Sequence, residues 1–164
     1  MSVKSELLAE IKQEATNTRK ILAKVPFENP DWKPHEKSMT IAKLATHIAE
    51  NLRWGWYILE SDFVDFANRP FAPSVVTTSE ELLKTFEEHY YKAIAALENV
   101  SDEELEKLWV VKSGDTIFME LKKKAAIRSW AMSHSVHHRG QLSVYLRLLD
   151  IPVPGMYGQS ADEK

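Results

Sequence analysis

The strongest constraint on this chain is a pair of histidines placed where a helix would face its core. Residues 127–149 carry apolar side chains at helical spacing, with His134 and His138 at the centre. Four residues apart on an α-helix, the two imidazoles stand about 40° apart on one face and one turn above each other. That face also holds Ile127, Trp130, Ala131, Gln141, Tyr145, Leu148 and Leu149, all within about 60° of His134 at roughly 100° per residue. Both histidines are therefore expected to point inward. Burying two imidazoles costs free energy unless their nitrogens find partners, and one shared cation satisfies both. Ordinary core histidines are the alternative, and a third inward ligand elsewhere would decide against it.

The third histidine lies in the second helical stretch, expected over residues 38–60. There Leu44, His47, Asn51, Trp54 and Ile58 share a face within about 60° of His47. Taken alone, His47 reads as a core histidine bonded to a carbonyl. Three such residues on two long helices point to a common ion.

The remaining stretches supply the scaffold. Residues 3–25 read as an amphipathic helix on Leu7, Leu8, Ile11, Ala15, Leu22 and Val25, and the three prolines of 26–34 then end it. Residues 61–77 have no clean period and read as a long connection with short ordered pieces. A capping box, Thr78-Ser79-Glu80-Glu81, opens a helix buried through Leu82, Leu83, Phe86, Tyr90, Ala93, Ile94 and Leu97. His89 flanks that stripe beside Glu87 and Glu88 and is placed on the helix surface. A second box, Ser101-Asp102-Glu103-Glu104, starts a short helix ending near Leu108, and a hairpin comes next around Gly114. The last helix is expected over 120–150, stopped by Pro152 and Pro154, with Gly140 inside it to admit a close neighbour. The polar tail after it is expected to pack by Met156 and Tyr157. The expected fold is an all-α four-helix bundle in one domain, 1–164, with a small β-hairpin before the last helix.

Composition narrows the function. The 164 residues are 44% hydrophobic, carry a net charge of −3 and contain no cysteine. Disulfides, thiolate metal ligands and a cysteine nucleophile are thereby excluded from the chain. No broad basic surface invites nucleic acid or anionic lipid, and the run Lys122-Lys123-Lys124 reads as the solvated start of a helix. The polar N-terminus lacks a signal-peptide core and no run reaches a membrane span, so a cytoplasmic protein is expected. Three neutral imidazoles suit a divalent zinc, nickel or iron ion and leave it a position for water or substrate.

The run His134-Ser135-Val136-His137-His138-Arg139-Gly140-Gln141, followed by Pro152-Val153-Pro154-Gly155-Met156-Tyr157-Gly158-Gln159-Ser160-Ala161-Asp162-Glu163, resembles the DinB family of bacterial metal-binding four-helix bundles. The resemblance extends to a histidine in the second helix and is most specific in the last. It implies His47, His134 and His138 as ligands of one divalent ion, with His137 a neighbour. It also implies an up-down-down-up bundle and a homodimer, for which Trp32, Phe63, Phe66 and Phe71 are candidate interface residues. Some relatives transfer a low-molecular-weight thiol to an electrophile, so such a thiol is one expected small-molecule partner. Glu50, Asn51 and Tyr145 have ordinary structural readings, and no catalytic base is assigned. Water activation by a hydrolase, and stress-related binding without turnover, are the alternatives. A roomy pocket at the metal favours an enzyme, and a closed site favours binding alone.

Overall fold

The computed structural model describes residues 2–68 and 71–163. The first helix, α1, spans Val3–Leu22, with the Ser2 hydroxyl accepting from the Ser5 amide. It is followed by α2 (Ile41–Glu50) and α3 (Arg53–Glu60). The 38–60 stretch is thus two helices, joined at Asn51 and Leu52. There the amides of Asn51, Trp54 and Gly55 each bond three residues back, a tighter winding than the α-helix. The expected stripe survives the break: Leu44, Asn51, Trp54 and Ile58 are all buried and His47 is half-buried. Gly55 has a packing reason, since a Cβ there would sit 3.0 Å from the Cβ of Ala93 on the facing helix.

That facing helix is α4 (Ser79–Asn99), whose Thr78 cap accepts from the Glu81 amide at 3.2 Å. Glu81 returns its carboxylate to the amide of Thr77 rather than Thr78, at 2.8 Å. Next come α5 (Asp102–Glu106), β2 (Leu108–Ser113) and β3 (Thr116–Lys122), with Gly114 taking a φ of 57° in the turn. After β3 come α6 (Lys123–Ala126), a π-helical segment at Ile127–Ser133, and α7 (His134–Leu148), followed by an irregular tail.

The fold is not all-α as expected, because it mixes helices with a three-stranded sheet in the order β1 (Phe63–Asp65), β2, β3. The added strand β1 lies in the stretch read as a connection and pairs in parallel with β2. Three residues are too few to show a period of two, and partners distant in sequence leave no local signal. Asp65 fastens the edge by accepting from the Gly114 amide at 3.0 Å. Residues 120–122, expected in the last helix, continue β3 against Leu108–Val110. Pro70, one of the prolines of the connection, lies outside the described residues. Among the described residues no helix is long and apolar enough to cross a membrane.

The core gathers Leu7, Ile11, Ile41, Leu44, Ile48 and Phe86 with Leu142 and Leu146, joining α1, α2, α4 and α7. Three charged or apolar residues depart from expectation. Lys123 is 1% exposed, not solvated, and its ammonium donates to Glu104 at 2.6 Å and to the Leu59 carbonyl at 3.3 Å. Leu148 is 57% exposed, because α7 turns its buried face to Leu142, Tyr145 and Leu146. Gly140 is exposed and a Cβ on it would meet nothing within 4 Å, so no neighbour enters there. Gly140→Ala should therefore stabilise the protein by about 0.5–1 kcal/mol, through helix propensity and a less mobile unfolded chain. A denaturant titration that shows a loss would mean an unseen approach at this position.

Candidate metal centre

His47 is carried by α2, which Thr40 starts by accepting from the Lys43 amide at 3.3 Å. His134 and His138 are carried by α7, entered directly from the π-helical segment. The wider π turn changes the angular position of α7 relative to α6, and such turns are frequent at functional sites. Ser135 braces the junction, its hydroxyl donating to the Ala131 carbonyl at 2.6 Å.

The three histidines come together. Nε2 of His134 lies 3.2 Å from Nε2 of His47 and 2.7 Å from Nε2 of His138. One ligand atom from each ring falls within 4.8 Å of the others, so the group can hold a metal ion. His137 is exposed beside them, its ring centroid 4.9 Å from that of His138.

The outer nitrogen of His138 shows that the set suits a cation. The Gln141 side-chain oxygen lies 2.7 Å from Nδ1 of His138 and can only accept, so Nδ1 carries the proton and Nε2 presents a lone pair. The Nε2 lone pair of His138 therefore faces the inner side of the triad, where a cation could take it up. An outward bond of this kind is how ligating imidazoles are oriented. Burial supports the neutral state. It pushes His47 down to about 4, helped by the nearby His138 and His134. Burial also lowers His134 and His138, opposed in the second by Gln141.

Replacing Gln141 by leucine should free the His138 ring to rotate or change tautomer. Metal affinity should then fall about 10–100-fold with the fold intact. An unchanged affinity in a competition titration would show that Gln141 does not orient the ligand.

Of the other residues weighed from sequence, Tyr145 is structural, donating to the Met39 carbonyl at 3.1 Å. Asn51 is 1% exposed, and its side-chain nitrogen Nδ2 has no partner among the described residues. Glu50 accepts from the Ser74 amide at 2.7 Å and faces Arg53 at 3.6 Å. His89 is half-buried, not on the surface, and its pKa is lowered by burial and by Arg53, with Glu50 opposing. Arg53 escaped the sequence reading because arginine is ordinarily a surface residue and no motif surrounds it. A cleft of about 400 Å³ opens beside the triad, between α2 and residues 73–76, with His47, Glu50 and Arg53 in its wall.

Known proteins share the fold that carries these residues. The uncharacterized protein YjoA of Bacillus subtilis is 29% identical over 131 residues, 79% of this chain and 80% of that protein. The crystal structure of YjoA, described as DinB-like, superposes with a TM-score of 0.72 at 20% identity, covering 94% of this chain and 99% of that one. A DinB-like protein from Bacillus cereus superposes with a TM-score of 0.71 at 20% identity, covering 92% and 95%. Both share the fold. The DinB family profile matches residues 1–164, and the chain belongs to the DinB family.

Proposed function

We propose that this protein is a metal-dependent enzyme that binds one divalent ion through His47, His134 and His138 and acts on a small molecule in the adjoining cleft. The observation that carries this reading is the inward convergence of three Nε2 atoms with the outer nitrogen of His138 tied to Gln141. Zinc, nickel and iron all suit imidazole ligands. Bound there, the ion would supply Lewis-acid polarisation, lowering the pKa of a water or thiol at its open position. The chain's own part is to keep three imidazoles neutral by burial, to hold the His138 tautomer through Gln141, and to offer a roomy cleft beside His47. That cleft favours turnover over plain sequestration. Transfer of a low-molecular-weight thiol to an electrophile is the reaction proposed.

Elemental analysis of untagged protein tests the site and should return one divalent ion per chain. The lowered histidine pKa values set the pH dependence. Each imidazole must be neutral to bind and burial lowers all three, so metal should remain bound as the pH falls through 6.5, where free imidazole titrates, and be released only below it. Release already at pH 6.5 would contradict buried neutral ligands. Thiol transfer is tested by loading the protein with cobalt and titrating bacillithiol or mycothiol. A sulfur-to-metal charge-transfer band with conjugation of an electrophile supports it, and absence of both removes it.

We also propose a cytoplasmic homodimer. Trp32 and Phe71 pack within the chain, against Tyr145 and Trp54, while Phe63 and Phe66 are 48% and 41% exposed and are left to serve an interface. Light scattering at micromolar concentration should return twice the chain mass, and a monomer would remove this part of the proposal.

A further inference from the structure

Arg53 is the least satisfied charge at the cleft. Its side chain is only 14% exposed and its Nε is buried without a partner among the described residues. The guanidinium lies 4.5 Å over the Phe71 ring, and Glu50 approaches it no closer than 3.6 Å, beyond hydrogen-bond range. Glu50 is meanwhile engaged by the Ser74 amide at 2.7 Å. A guanidinium this buried is ordinarily held by hydrogen bonds to a carboxylate or carbonyl, because taking its charge out of water is costly. Arg53 has a stacking surface and a distant counter-charge instead, and it lies in the wall of the cleft.

The rest of the cleft describes what would lie against it. Met39, Ala42 and Val76 make an apolar wall, Lys43 stands exposed at the rim, and His47 is the wall shared with the triad. Arg53 and Lys43 against Glu50 leave one net positive charge. A monocarboxylate balances that side-chain charge, counted without the ion that the triad would hold. The volume of about 400 Å³ falls in the range of small-molecule sites.

We propose that the cleft between α2 and residues 73–76 binds a small monocarboxylic acid, its carboxylate on Arg53 and its apolar body along Met39, Ala42 and Val76. This deepens the reading of the cleft as the substrate site, but the Arg53 contact does not depend on the ion. A bidentate carboxylate would complete the fork that the protein itself leaves open, and Phe71 would hold the guanidinium plane in place.

The test titrates sodium octanoate and its neutral counterpart octanamide into the full chain as purified, by calorimetry. The titration is repeated after chelation and with Arg53→Gln. Octanoate should bind, octanamide at least about tenfold more weakly, and Arg53→Gln should weaken octanoate by at least about tenfold with helicity unchanged. Binding to the chelated protein should persist. If Arg53→Gln fails to fold, the octanoate-to-octanamide ratio on the unaltered chain decides, supported by a smaller loss with Lys43→Met. Equal binding of acid and amide, or no binding of either, overturns the proposal. So does octanoate binding that vanishes on chelation and ignores Arg53→Gln, which would place the carboxylate on the metal and leave the metal-site reading standing. Metal content, measured separately on each sample, reports on that reading by itself.

Discussion

A His134→Ala variant is expected to bind zinc at least about 100-fold more weakly than the unaltered chain, while His137→Ala binds within about threefold of it. His134 is central to the triad, since its Nε2 is the atom in reach of both other rings, at 3.2 Å and 2.7 Å. Its loss leaves His47 and His138 on separate helices, with one nitrogen each. Structural zinc sites contribute roughly 10–16 kcal/mol over their ligand sets, so one ligand in three accounts for several kcal/mol, well above the roughly 2.7 kcal/mol that a 100-fold change represents. His137 is the matched control, because it is exposed and turned away from the Nε2 cluster although its ring is near His138. Competition against a chromophoric chelator measures both variants. The triad would be refuted as a metal centre if the two variants lost affinity equally.

The clustering of His47, His134 and His138 is largely legible in the sequence because it rests on periodicity. His47, His134 and His138 each sit on an apolar stripe with regular spacing, and spacing alone brings them inward. The same rule carried the His47 face across the break at Asn51 and Leu52, since a short tightened turn shifts the angle little. It failed within α7, where the buried residues Ser135, His138, Leu142, Tyr145 and Leu146 centre the inner face to one side of His134, so that Leu148, on the other side, is 57% exposed. The pairing of β1 with β2 was hidden for a different reason, because partners some 45 residues apart in the chain share no local pattern. Buried charges were hidden most completely. Lys123, Arg53 and Arg139 look like any surface lysine or arginine until the carboxylates, carbonyls or rings that receive them are known. Two of these three hold the scaffold together, and the third lines the cleft.

Arg139→Ala should cost about 3–5 kcal/mol of stability, the usual loss when one partner of a buried ion pair is removed. Arg139 is 2% exposed at the centre of a network joining α7 to α1 and to the tail. One guanidinium nitrogen donates to the Glu14 carbonyl at 2.6 Å and to the Thr18 hydroxyl at 2.9 Å. The other reaches the Glu14 carboxylate and the Tyr157 hydroxyl, and that hydroxyl in turn donates to Glu14 at 2.7 Å. The tail is held by more than Met156 and Tyr157, since Asp162 and Glu163 accept from the amides of Val153 and Gly155 at 2.8 Å and 2.7 Å. Without Arg139 the Glu14 carboxylate, 18% exposed, loses its counter-charge, and the Glu14 carbonyl and Thr18 hydroxyl lose their donor. For a chain of this size the loss corresponds to a fall of roughly 10 °C in melting temperature. Tyr157→Phe removes one hydroxyl from the same network and should cost only about 1 kcal/mol. The decisive comparison is Glu14→Leu combined with Arg139→Leu, which removes both charges and should lose less than the two single changes added together. If Arg139→Ala melts within about 2 °C of the unaltered chain, the buried guanidinium is not what ties the tail and α1 to the histidine-bearing helix.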